Sequence, residues 1–478
     1  MLHSRLATFF AKRTGTHSED WYPLWQARYG FLAIGQALSD VSTIKSQATD
    51  RLDDPPTVLT QAFTCATAVQ PFLAAGLHVQ LAPVDPGTLS LPYPQVVQQY
   101  AKQTGQKPAA VVVQRTFGLI PPGKTPSQGR GEETSQGRGQ ETSQGPNPPS
   151  LLFIEDCAHS LARLGPVLAD VSVHSFGFEK TLPTTRFGAA VWVNPGLKNK
   201  SPLLDAAIRH RLSATTSLPR RQQLIARAYP VQAAILRTLP EKLANYLQEH
   251  AEKTGIMVDP LRSIPEPIET PGTTTTSTTT STTSNNSRNP ASPVYAMPRW
   301  LEKQLLTALN DLDAVEVQRA IISEKYRTAL ASTHEPVTHE LSIHEPGIHE
   351  SSIHEPGTHE PSTHSAPRVP EAFLENAAQP YVCFPVLVDN PDQLIAEIRR
   401  RGGNARDWYR TPLYGWADRV AERPPEQSAD QAATGQTNSA HPKPQDTTGQ
   451  NYLYQHIVGL PTYIPEQLAE EIIDLLQH

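Results

Sequence analysis

Between residues 30 and 193, short apolar runs alternate with stretches of helical periodicity, and that alternation restricts the chain to a small set of folds. Helical pattern is predicted over 30–38, opening on Gly30, over 65–75, closed by Gly76, and over 93–104. Strand-like runs cover 56–60, 78–84, 109–113, 151–155, 171–175 and 189–193. Strands joined through helices imply a mostly parallel sheet sandwiched by helices, an α/β class. In such sheets ligands sit beyond the carboxyl ends of the strands, where Asp156 and Ser175 both fall.

After Pro202 the pattern changes to long helices, predicted over 203–212, 220–247 and 297–332. A strand at 381–388, a helix at 391–401 stopped by Gly402-Gly403, and a helix at 465–476 complete a smaller C-terminal α/β domain. Four segments contribute to neither core. Residues 124–150 repeat Ser-Gln-Gly-Arg-Gly, 272–292 are mostly Thr and Ser, 333–365 repeat His-Glu-Pro, and 424–450 are polar with scattered Pro and Gly. They hold too little apolar surface to offset their ordering entropy and are expected to be disordered, low-complexity inserts. Of the 478 residues, roughly 370 remain for folding, enough for one two-domain protomer. The expected organisation is a large domain over 1–260 with the 124–150 insert, a linker over 261–293, and a small domain over 294–478 carrying the other two inserts.

A net charge of −6 with no basic cluster argues against nonspecific nucleic-acid binding, and no helix-turn-helix pattern suggests a transcriptional regulator. Three cysteines, Cys65, Cys157 and Cys383, form no metal or disulfide spacing, so a reducing, cytoplasmic setting is the simpler expectation. No apolar run approaches the roughly 18 residues that cross a bilayer. The apolar block 6–10 near the N-terminus is too short for a secretory signal and is expected to form a surface helix. Histidines recur every five residues from His334 to His364. Imidazole with carboxylate can bind divalent metal, but this spacing does not align side chains on one helical face and the prolines forbid a helix. A tolerated surface repeat is expected, with no catalytic metal.

Two short blocks carry the chemistry. Leu151-Leu-Phe-Ile-Glu-Asp156-Cys-Ala-His159 is an apolar run ending in an acid, and Ser175-Phe-Gly-Phe-Glu-Lys180 ends in a lysine on the turn after another strand. Taken alone, such an acid serves more often as a helix cap, and such a lysine as a solvated surface residue. Together they look like the cofactor site of a pyridoxal 5'-phosphate (PLP) enzyme. Further segments add to the likeness: Gly30-Phe-Leu-Ala-Ile-Gly-Gln-Ala-Leu38, Ala62-Phe-Thr-Cys-Ala-Thr-Ala-Val69, Gln114-Arg-Thr-Phe-Gly118 and Gly459-Leu-Pro-Thr462. With them the chain resembles the DegT/DnrJ/EryC1/StrS family of PLP-dependent sugar aminotransferases, along nearly its whole length outside the inserts.

The resemblance implies the type I PLP-dependent transferase (aspartate aminotransferase) fold and a set of roles. Asp156 would pair with the pyridine nitrogen, and Lys180 would hold the cofactor covalently and act as general base. His159 stands where the family commonly has glutamine against the ring hydroxyl. Ser175 and the backbone amides of Phe31 and Leu32, at a helix N-terminus, would hold the phosphate. Cys65 takes the place of an aromatic that stacks on the ring, and Phe31 that of a threonine. The family's asparagine that reaches the neighbouring subunit has no counterpart at 209–220.

What the resemblance then implies is an aminotransferase passing an amino group from glutamate to a nucleotide-linked keto sugar, in cell-surface polysaccharide or glycoside biosynthesis. The partners would be that sugar, the amino-acid donor and a second copy in a homodimer, without nucleic acid or membrane. Two alternatives stand beside it: a catalytically degenerate binding or assembly protein, and another PLP reaction on the same fold.

Overall fold

The computed structural model describes residues 4–49, 55–120, 151–160, 169–177, 180–182, 186–258, 292–331, 366–376, 379–410 and 448–477. The 124–150 and 333–365 inserts, and all but the last residues of 272–292 and 424–450, lie outside them. Residues 448–450 already belong to a helix, so the last insert ends earlier than its composition suggested.

One seven-stranded sheet organises the chain. Its strands are β1 (Trp21–Leu24), β2 (Thr57–Gln61), β3 (His78–Ala82), β4 (Ala110–Gln114), β5 (Leu152–Cys157), β6 (Val171–Ser175) and β7 (Ala189–Val193), in the order β1-β7-β6-β5-β4-β2-β3. All neighbours from β6 through β3 pair in parallel; β7 runs antiparallel to both β6 and β1. The central strands β5, β6 and β7 are buried at every position, which is why they read as unbroken apolar runs rather than as alternating ones. The short β1 was not legible as a strand, since Trp21-Tyr-Pro-Leu24 is brief and contains proline.

The helices in the first half are α1 (Arg5–Thr14), α2 (Ala27–Thr49), α3 (Ala66–Ala74) and α4 (Tyr93–Thr104). The first is capped by the Ser4 hydroxyl, which accepts from the Ala7 amide, and buries Leu6 and Phe10 beneath the surface position expected of it. On one sheet face α2 packs Phe31, Leu32 and Ile34 against Ile154, Val173 and Val191. That approach depends on Gly30, where a Cβ would lie 2.6 Å from Val191 Cγ2. The opposite face carries Leu59, Val111 and Phe153 under α4.

Beyond the sheet come α5 (Leu197–Lys200), α6 (Pro202–Ser213), α7 (Arg220–Arg237), α8 (Glu241–Lys253), α9 (Arg299–Leu309), α10 (Leu312–Ala331), α11 (Glu371–Glu375), α12 (Pro391–Arg400), α13 (Thr448–His456) and α14 (Glu466–Gln477). Two of the predicted long helices are in fact broken pairs. The 220–247 pattern splits at Pro240, which cannot continue the ladder, and 297–332 splits at Asn310-Asp311. The helix α9 packs with α1 and Phe176, whereas the later part of α10 joins a second core. That core surrounds a hairpin-like pair, β8 (Cys383–Leu387) antiparallel to β9 (Ile457–Pro461), covered by α12 and α14. It runs without a break into Phe63, Phe117 and Leu119 of the large sheet's loops. The seam between them therefore lies at the carboxyl ends of β2, β4 and β5.

Candidate active site

Parallel pairing sets Gln114 beside Asp156 and Asp156 beside Val173, so residues from three strands reach the same edge. Asp156 is buried, and its Oδ1 accepts the Ala158 amide at 3.0 Å. Burial pushes its carboxyl up to about 6; the Ala158 amide and the charge of Lys180 pull the other way.

His159 follows in the turn after β5. Its Nδ1 accepts the Phe117 backbone amide at 3.1 Å, while Nε2 lies 2.8 Å from Lys180 Nζ and 3.3 Å from the Tyr409 hydroxyl. The ring lies in a near-parallel aromatic stack, with Phe117 at 5.9 Å and Trp408 at 5.2 Å between centroids. Burial, and then the charge Lys180 carries when protonated, hold His159 well below the usual histidine range, so the ring is neutral at physiological pH. The amide it receives comes from a strained turn: Phe117 has φ 55°, and Gly118 beyond it has φ 97°. Gly118 has no alternative there, because a Cβ would sit 2.7 Å from the His159 carbonyl oxygen.

Lys180 Nζ lies 4.6 Å from the Trp408 ring centroid, and the Lys180 carbonyl accepts from Arg319 at 3.4 Å. Arg319 is itself buried and held by the Val382 carbonyl at 2.7 Å and the Thr462 hydroxyl at 2.8 Å. Its hydrogen-bond partners are carbonyl and hydroxyl oxygens rather than carboxylates, and burial lowers it to about 10. A second chain of contacts runs across the seam. The Thr64 hydroxyl donates to Gln114 Oε1 at 2.5 Å, and Gln114 Nε2 donates to the Tyr409 hydroxyl at 3.3 Å. Burial keeps that phenol well above the ordinary tyrosine value, and hence protonated.

Of the residues singled out in the sequence, Asp156, His159 and Lys180 thus come together. Ser175 ends the neighbouring strand, where its Oγ accepts the Gly177 amide at 3.2 Å and its own proton meets no acceptor among the described residues. Cys65 is half-buried at the N-cap of α3 with Sγ accepting from Thr67 at 3.1 Å; it borders Tyr409 rather than presenting a flat face. The aromatic from that loop is Phe63, packed edge-on to Tyr409 at 5.2 Å.

Phe31 and Leu32 require correction. The helix α2 opens at Ala27, a full turn before Gly30, so both residues lie inside the hydrogen-bonded ladder. Their side chains are core, with Phe31 against Phe72, and neither amide is free to meet a phosphate. The first turn of that helix precedes Gly30.

Trp408, Tyr409, Phe117, Thr64 and Arg319 had no role in the sequence. The two aromatics were findable as an adjacent pair between Arg406 and Arg410 in an otherwise polar stretch; Arg319 was hidden as one more cation on a long helix.

The donor set fits PLP at the ring and at the amine. A buried carboxylate answered by a single amide suits a cationic ring N–H, and Lys180 supplies the amine. At the phosphate end Ser175 and the first turn of α2 remain.

No protein-family model and no curated protein matches this sequence. Solved structures do match along nearly its full length. A DegT/DnrJ/EryC1/StrS aminotransferase from Brucella abortus is 15% identical, covers 98% of this chain and 88% of its own, and superposes with a TM-score of 0.52. The aminotransferase TlmJ from Streptoalloteichus hindustanus is also 15% identical, over 99% and 89%, with a TM-score of 0.52. The Helicobacter pylori PseC aminotransferase involved in pseudoaminic acid biosynthesis is 12% identical over 100% and 91%, TM-score 0.51. The chain therefore shares the fold of these aminotransferases, the type I PLP-dependent transferase fold.

Proposed function

We propose that this chain binds PLP through Lys180 and transfers an amino group from glutamate to a nucleotide-linked keto sugar. The observation that carries this reading is the convergence of Asp156, His159 and Lys180 at the carboxyl end of β5 on a type I fold. When bound, PLP supplies an electron-accepting ring that takes up the charge left by removing a proton from the carbon bearing the amine. Asp156 would hold the ring nitrogen protonated. Lys180 Nζ would hold the cofactor and, once displaced by the donor amine, carry the proton between the two carbons. Ser175 and the first turn of α2 would take the phosphate, and the Trp408–Tyr409 pair would exclude water from the other side of the lysine. The sugar class rests on the likeness to structures described as sugar aminotransferases, with the substrate held at the seam between the large-sheet core and the second core.

We also propose a homodimer. Leu224, Val231 and Ile235 on α7, with Leu243, Tyr246 and Leu247 on α8, are exposed at spacings that give each helix an apolar face, and a second copy is the occupant expected there.

The degenerate reading keeps one observation in its favour: Phe31 and Leu32 are core residues, which leaves the phosphate fewer donors than the family pattern has. Mixing the purified chain with PLP separates the two. The proposal expects a visible absorbance band that glutamate bleaches and that Lys180→Ala lacks. No band in the unaltered protein would sink the enzyme and leave the binding protein.

A further inference from the structure

The polar contacts of His159 fix which of its nitrogens carries the proton. The Phe117 amide donates to Nδ1 at 3.1 Å, so Nδ1 offers a lone pair and the neutral ring bears its hydrogen on Nε2. Nε2 therefore faces Lys180 Nζ, 2.8 Å away, as a donor. An ammonium has three donors and no acceptor, and cannot complete that contact; an amine can. We infer that His159 keeps Lys180 as the uncharged amine at neutral pH, before any cofactor arrives, by donating from Nε2 to the Nζ lone pair. The inference rests on Lys180 as the cofactor-binding residue but not on uptake of the cofactor.

The other groups around the amine fit this state. Asp156 favours the ammonium. Against it stand Arg319, whose guanidinium reaches the Lys180 carbonyl, and Arg406, whose guanidinium lies 5.3 Å from the Trp408 ring centroid. Tyr409 and Cys383 are held protonated by burial and add no charge. The Phe117 amide on Nδ1 fixes the ring's orientation, and Phe117 and Trp408 stack on its faces. His159 is in this sense a positioning residue that acts through Lys180.

Amine labelling by acetic anhydride tests this on the full-length chain freed of PLP. Labelling of the Lys180 peptide is followed by mass spectrometry from pH 6 to pH 11 against an added lysine peptide as internal standard. The expected midpoint for Lys180 lies at about pH 7 or below, roughly three and a half pH units below that of the standard, so that at pH 7.5 most of it is free amine, several hundredfold more than of the standard. His159→Leu, which removes the donor, should move the midpoint up by about one unit or more. His159→Gln, which supplies an amide N–H, should keep it low. A wild-type midpoint above about pH 8, no labelling of Lys180 at any pH, or identical midpoints in wild type and His159→Leu would each overturn the inference. Should His159→Leu fail to fold, the wild-type titration and the glutamine variant decide alone. A chain that labels as expected yet takes up no PLP would retain this inference and remove the proposed activity.

Discussion

Asp156 carries a measurable cost before any cofactor binds. Its folded-state pKa is raised from 3.8 to about 6, so the native chain holds a proton there that the unfolded chain has released. That penalty is absent below about pH 4, grows as pH rises through the window from 4 to 6, and reaches about 3 kcal/mol above it. Buried His174 works in the opposite sense. Burial lowers it from 6.5 to about 3, so its contribution to stability is lost as pH falls below 6.5. Only a difference between variants isolates Asp156. In urea unfolding of the cofactor-free protein, Asp156→Asn should match wild type near pH 4 and exceed it by up to about 3 kcal/mol at pH 7. Equal stability at both pH values would show that the carboxyl is answered by a partner other than the Ala158 amide. A residue that the free chain would be more stable without is a residue kept for a ligand.

Among the elements, the turn after β4 has the strongest effect on the site. Phe117 at positive φ aims its amide at His159, and a Cβ on Gly118 would lie 2.7 Å from the His159 carbonyl oxygen. Gly118→Ala should therefore cost about 2–3 kcal/mol in denaturant unfolding and weaken PLP uptake together. A stable variant with normal uptake would mean that the turn relaxes freely. This is also where the sequence was least informative. The central strands were legible because burial on both faces makes them continuous apolar runs, and Asp156 and Lys180 because each ends such a strand or the turn behind it. The start of α2 was not, since Gly30 looked like a helix opening when it is a close-packing position against Val191. Trp408 and Tyr409 reach the site only through the packing of the second core on the first, a contact between residues 250 apart that no local pattern encodes. The break in the 220–247 pattern was available in Pro240, which was overridden by the periodicity around it.

At the scale of the whole molecule, the seam between the two cores and the exposed faces of α7 and α8 are the features that a single chain leaves to be completed. Sedimentation should give twice the protomer mass of 52.4 kDa, and Leu224→Glu with Tyr246→Glu should shift it toward the monomer. A wild-type monomer at micromolar concentration would remove the dimer and leave that apolar surface without its expected occupant. The central claim is narrower and can be met directly at Lys180. Borohydride reduction of the protein after incubation with PLP fixes any lysine-bound cofactor, and peptide mapping then locates it. One modified peptide is expected, the one containing Lys180, with stoichiometric labelling that glutamate prevents. A tag spread over surface lysines, or none at all, would contradict it.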